Sequence, residues 1–287
     1  LLELKNYDDI CAYAAGSLGR LEAGQSSDLD LFLISNKKQC SPLERVRLLA
    51  SVADINDELG FPPLSEDMRF FRLYARDELI DHTGKPIDDT ENSFTARMLL
   101  LLESYPIAGD KVFEEIVYSV AENCFRDNKG KKDFRPLFLL NDLLRYWRTL
   151  CLNYEGTRSD PAKPWRKKNM NLRFCRLSTV FSTVVALMSL RPGSVNEFMP
   201  LVQMTPFERL ASAIDESNLE VSYEIFPTFL DDYEWFLQLK DEKGAESILG
   251  DAAVKIEARK RAENISSFFQ KTLTSRPLSD NSRYLIL

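Results

Sequence analysis

Residues Gly16 to Ser35 read GSLGRLEAGQSSDLDLFLIS, a glycine-serine turn followed by two aspartates one residue apart and an apolar run. Leu29, Leu31, Phe32, Leu33 and Ile34 have the near-continuous apolar character of a buried strand. Side chains alternate faces along a strand, so Asp28 and Asp30 point the same way while Leu29 and Leu31 turn to the core. Two carboxylates side by side repel unless a cation lies between them. Mg2+, with Mn2+ as a substitute, takes one or two carboxylates together with substrate phosphates and is the natural occupant. The turn upstream suits those phosphates: Gly16 and Gly19 let the backbone approach closely, and Ser17 adds a hydroxyl. Amides that open a helix favour anions. The combination reads as a nucleotide-handling site.

The composition allows that reading and removes others. A chain of 287 residues makes one large or two small domains, each with a sizeable core. A formal charge of -7 argues against a general binder of duplex nucleic acid, which needs a broad basic surface. The five cysteines, at 11, 40, 124, 151 and 175, form no CxxC pair, so reduced thiols and no zinc site are expected. His82 is the only histidine, which excludes a histidine dyad. No signal peptide opens the chain, and no apolar run reaches the roughly 18 residues of a spanning helix. A cytoplasmic location with no membrane insertion is therefore expected. The chain opens on Leu1, so the natural start is expected upstream.

Reading outward, a strand is expected at 11–15 after a short helix over 2–10, and a second strand ends near Ser35. Ser41-Pro42 starts a helix over 43–59, with Leu43, Val46, Leu49, Val52, Ile55 and Leu59 at helical spacing and Gly60 beyond its end. Composition favours a strand over 68–74. Helices follow over 94–105, 112–124, 134–154, 169–190, 206–216, 224–240 and 245–273, with Pro192-Gly193 and Pro200 as breaks. The charged turn at 128–133 marks a boundary. The expected division is a mixed half over 1–127, an all-helical half over 128–275, and a mobile tail over 276–287 set off by Pro277.

At Gly16-Ser17 with Ser27 to Leu31 the chain resembles the DNA-polymerase-β-like nucleotidyltransferase superfamily, whose signature is a Gly-Ser turn, an Asp-x-Asp strand and a third acid on a later strand. The resemblance implies an α+β fold: a polymerase-β-like core with a small mixed sheet, then the helical domain. It also implies catalysis with two bound ions, Mg2+ or Mn2+, clamping the attacking and leaving oxygens of an in-line displacement. Asp28 and Asp30 would hold the metals, and Ser17 and nearby amides the triphosphate. Arg20 is placed to clamp phosphate. The strand over 68–74 carries only arginines as charged residues, so Asp67 at its start, with Glu66 behind it, is the candidate third acid and proton acceptor.

Between Arg158 and Arg176 seven basic residues face one acid; Lys168, Arg173 and Arg176, interleaved with Trp165 and Phe174, are candidates to hold a triphosphate or a nucleic-acid strand. Together with ENSFTARMLLLLES and NDLLRYWRTLCLNY, this segment resembles a bacterial group of nucleotidyltransferases with a helical C-terminal half, among them antiphage-defence members such as the Hailong-system nucleotidyltransferases. That resemblance implies template-free synthesis of short DNA oligomers from dATP, a single-stranded product that signals to a membrane effector. It also implies priming from a C-terminal tyrosine, for which Tyr284 is the matching position. Two alternatives stay open: transfer of single nucleotides to a tRNA or protein, and a nucleotide-binding regulator without turnover.

Overall fold

The structure, a computed structural model, describes residues 8–25, 27–37, 41–62, 71–132, 134–158, 164–280 and 285. The elements run β1 (Ile10–Ala14), α1 (Gly16–Gly19), β2 (Leu31–Ser35), α2 (Pro42–Glu58), β3 (Leu73–Ala75), α3 (Arg76–Asp81), α4 (Pro86–Thr90), α5 (Ser93–Glu103), β4 (Tyr105–Ala108) and α6 (Asp110–Cys124). Then come α7 (Leu137–Arg158), α8 (Trp165–Asn171), a π-helical turn (Leu172–Arg176), α9 (Leu177–Leu190), α10 (Val195–Gln203) and α11 (Pro206–Glu216). The chain continues through α12 (Glu220–Asp241), α13 (Ala245–Ile248) and α14 (Ala252–Thr274). The fold is α+β, with a small mixed sheet among many helices.

Two compact units divide the chain: Leu1–Lys129 with Ser194–Thr205, and Gly130–Gly193 with Pro206–Leu287. The expected contiguous helical half over 128–275 is thus interrupted, because α10 belongs to the first unit. Its Val195, Phe198, Leu201 and Val202 are buried, and Phe198 lies 5.6 Å ring to ring from Phe125. Pro200 lies inside this helix rather than at a break.

In the first unit the described strands form a four-stranded sheet in the order β3-β2-β1-β4. β1 is antiparallel to both neighbours and β2 runs parallel to β3. Every residue of β1 is buried, as expected for an inner strand covered on both faces. One face packs Ile10, Ala12, Leu33 and Leu73 on Leu48 and Val52 of α2. On the other, Tyr13 stacks on Phe32 at 5.3 Å and meets Phe113 of α6 at 5.9 Å. Helix α2 starts where expected, with Ser41 and Glu44 forming a capping box. Its buried stripe, however, is Leu48, Val52 and Asn56, while Leu43, Val46 and Leu59 are exposed.

Helix α5 is buried on nearly every side, Phe94 and Ala96 through Glu103 included. It also buries a charge. Arg97 donates to both carboxylate oxygens of Asp88, at 3.0 and 2.8 Å, and to the Leu79 carbonyl at 3.0 Å, with both side chains wholly out of solvent. This ties α3, α4 and α5 together. The helix expected over 94–105 ends at Glu103, and the next residues form the edge strand β4.

The second unit is helical throughout its described residues. α8, the π-helical turn and α9 make one 26-residue helix, Trp165–Leu190, that is long and apolar enough to cross a membrane by length and composition alone. Its apolar window is 72% buried inside the protein, so it serves as a core helix. Phe174 on the π-helical turn stacks on Phe236 of α12 at 4.7 Å, and Phe229 meets Phe268 of α14 at 4.5 Å. Helix α12 runs through Pro227 and is longer than the 224–240 expected. The segment expected as one helix over 245–273 is broken by Asp251, whose carboxylate accepts from the amides of Ala253 and Val254 and caps α14. Pro277 does follow the last helix. Leu278 directly after it is fully buried, while residues 281–284, 286 and 287 of the tail expected over 276–287 lie outside the described residues.

Because Arg97 and Asp88 are sealed from water, removing one partner strands a buried charge. Arg97→Ala is expected to cost about 3–5 kcal/mol, read from urea unfolding, whereas Arg97→Met combined with Asp88→Leu should recover much of that loss.

Candidate functional site

The chain leaves β1 at Ala14 and turns at once into α1, through Gly16 at φ +65°. The Ala15 amide donates to the Asp30 carbonyl at 2.8 Å, which continues the β1–β2 pairing one step past the strands. That bond brings Asp30 to Gly16. A Cβ added at Gly16 would lie 2.3 Å from Asp30 Oδ2, so the carboxylate occupies the space a side chain would fill. Asp28 and Asp30 are both exposed and Leu29 between them is half-buried, the alternation expected of extended chain. Ser17 is mostly buried, its carbonyl accepts from Glu22 N at 2.8 Å, and its hydroxyl makes no hydrogen bond among the described residues. Gly16, Ser17 and Asp30 therefore form one small cluster, with Asp28 one step along the same exposed face.

Gly19 has a different constraint. A Cβ there would come within 1.9 Å of the Glu103 carbonyl oxygen and 2.8 Å of the Ala14 carbonyl, so only glycine fits where α1 crosses the end of α5. Arg20 follows, and the structure turns it inward. Its guanidinium pairs with Glu22 at 2.8 Å and with Glu103, and the three side chains are each less than a tenth exposed. The expectation that Arg20 clamps phosphate is corrected accordingly: the charge is spent on two buried carboxylates that anchor the turn. Sequence inspection missed Glu22 and Glu103. Glu22 could have been suspected from its place two residues on, but Glu103 lies 83 residues away and leaves no local signal.

The basic candidates belong to the second unit. Lys168 is exposed on α8, while Arg173 and Arg176 are half-buried on the π-helical turn. Burial pulls the Arg173 guanidinium below its usual pKa, partly offset by Glu263 and reinforced by Arg259, and it stays charged at physiological pH. Arg166 pairs with Glu246 at 3.3 Å. Asp67 and Tyr284 lie outside the described residues. Among the described residues no three acid, histidine or cysteine side chains are grouped to share a metal ion. Asp28 and Asp30 themselves form an oxygen-only, exposed pair, the donor chemistry of a hard divalent cation.

No family model matches the chain, and no curated protein matches it.

The two glycines make opposite demands. Gly19→Ala meets backbone and is expected to cost about 3 kcal/mol in chemical denaturation. Gly16→Ala meets a side chain that can swing aside, so about 1–2 kcal/mol from its left-handed φ is expected, together with a displaced Asp30.

Proposed function

We propose that the chain transfers nucleotides from a nucleoside triphosphate, with pyrophosphate leaving. The observation that carries this reading is the Asp30 carboxylate lying against the Cα of Gly16, which joins the glycine-serine turn to an exposed acid. It is supported by the order of elements, in which a turn between β1 and β2 precedes the two aspartates, as in polymerase-β-like nucleotidyltransferase cores. Asp28 and Asp30 would hold Mg2+ or Mn2+ at the site. When bound, such an ion neutralises the triphosphate and stabilises the charge that develops during displacement.

The remaining tasks belong to the chain. The first amides of α1 have no partners within the helix and, with the Ser17 hydroxyl, face the phosphates as donors. Gly16 keeps the backbone bare so that phosphate and carboxylate share one small volume. The buried Arg20–Glu22–Glu103 set holds the turn in place, so little reorganisation is needed when the triphosphate arrives. Asp67 remains the residue proposed to complete the acidic set and accept the attacking hydroxyl's proton.

Within this reading, dATP is the proposed donor and a short single-stranded DNA oligomer the product, made without a template as a signal in antiphage defence and acting on a membrane effector. Lys168, Arg173 and Arg176 supply positive charge for the product strand on an otherwise acidic chain. Tyr284 is the proposed first acceptor. The alternative of a nucleotide-binding regulator without turnover is separated from this reading by the same assay.

Labelled dATP with Mg2+ should give a ladder of oligomers and free pyrophosphate. Asp30→Asn should lower the rate by more than about a hundredfold while the variant stays folded, and a chelator should stop the reaction. Nucleotide binding without pyrophosphate from any triphosphate would support the regulator instead. Tyr284→Phe should abolish initiation but still extend an added short primer; unchanged initiation would remove the tail from the mechanism.

A further inference from the structure

The first unit carries a groove of about 220 Å³ between the edge strand β4 and helices α6 and α10. Its floor is apolar, made by Phe113, Val117 and Val202. Its rim is different in kind. Tyr105 stands half-exposed at one side, and the carboxylates of Asp110 and Glu114 stand with the Gln203 amide around the opening. None of these four polar side chains makes a hydrogen bond or ion pair among the described residues. An apolar slot with a few converging, unengaged polar groups is the usual form of a small-molecule site.

Its position relative to the turn is given by the sheet. Tyr105 pairs with Ala14, two residues before Gly16. Glu103, two residues before Tyr105, carries the carbonyl on which Gly19 rests and the carboxylate that binds Arg20. The groove therefore begins where the support of the turn ends.

We infer that this groove takes the base of the incoming nucleotide and favours bases bearing an exocyclic amino group. The inference rests on the nucleotidyl-transfer reading and names its specificity. The ring of Tyr105 offers a stacking face at the mouth of the slot. Ionised Asp110 and Glu114 can only accept hydrogen bonds. Adenine and cytosine carry an amino donor where guanine, thymine and uracil carry a carbonyl oxygen; guanine carries its amino donor at C2, whereas thymine and uracil have no amino group and their carbonyl oxygens are repelled. The charge at the rim also disfavours an apolar peptide as occupant, since such a segment would leave both carboxylates desolvated without a donor.

The test is equilibrium binding to the full chain, with turnover blocked by an imido linkage between the α and β phosphates. The fluorescent probe is 2-aminopurine deoxyriboside triphosphate in that form, and the competitors are the matching dATP and dTTP analogues. Probe emission should fall on binding, and the adenine analogue should compete about tenfold better than the thymine one. Tyr105→Ala should remove the quenching and weaken the probe about tenfold, while Tyr105→Phe should preserve both. Asp110→Asn combined with Glu114→Gln should erase the preference between the analogues, weakening the adenine analogue and strengthening the thymine one. All three residues are exposed, so the variants should keep the fold, checked by their unfolding midpoints. Triphosphate binding that is indifferent to these substitutions would overturn the groove assignment alone. No binding of any triphosphate by the unsubstituted chain would overturn the nucleotidyl-transfer reading and this inference with it.

Discussion

The carbonyl of Glu103 against the Cα of Gly19 is the contact on which the arrangement of the first unit's candidate site depends. It allows no side chain at residue 19 and sets how closely the turn after β1 approaches the end of α5. The Glu103 carboxylate adds a second hold by binding the buried Arg20 guanidinium. A buried ion pair of this kind is a weak source of net stability, because desolvation offsets the attraction. Its directional hydrogen bonds nevertheless fix an orientation. The turn is thus placed by a helix that is itself immobilised, since α5 is enclosed on nearly every side and pinned by Arg97 to Asp88.

Charge is distributed unevenly over this acidic chain. In the first unit the two aspartates beside Gly16 are exposed while Arg20 is turned inward, so the candidate site presents carboxylate and amide rather than guanidinium. In the second unit the basic run sits on a helix whose π-helical turn interrupts the regular register and half-buries Arg173. Such turns are rare and often occur where a helix has a task besides packing.

Local sequence suffices where one short segment contains its own cause. The Gly16 turn, the alternation of Asp28 and Asp30, the Ser41–Glu44 cap and the helix over 206–216 are all set by neighbours within a few residues. It does not suffice where a distant contact overrides the local pattern. The apolar period of α2 suggests a stripe through Leu43, Val46, Leu49, Val52, Ile55 and Leu59; the sheet meets Val52 and Leu49 of it but also Leu48, and leaves Leu43, Val46 and Leu59 exposed. The helix expected over 94–105 stops at Glu103, because the edge of β1 takes Tyr105 to Ala108 into a strand. Helix α10 lies deep within a helical stretch and still joins the first unit through Phe198.

The amino-acid sequence alone determined the chemical types at the candidate site: a bare glycine turn, a hydroxyl, and two carboxylates on one face of an extended segment. Those properties follow from backbone geometry and period-two alternation, which act over a few residues. Only the tertiary structure decided which groups remain for a ligand. It turned Arg20 away by supplying Glu103 from 83 residues downstream, and it set Tyr105 at the turn end of β1 by pairing β4 with β1. The reason is that availability depends on what else competes for a charge or a surface, and those competitors are brought near only by the fold.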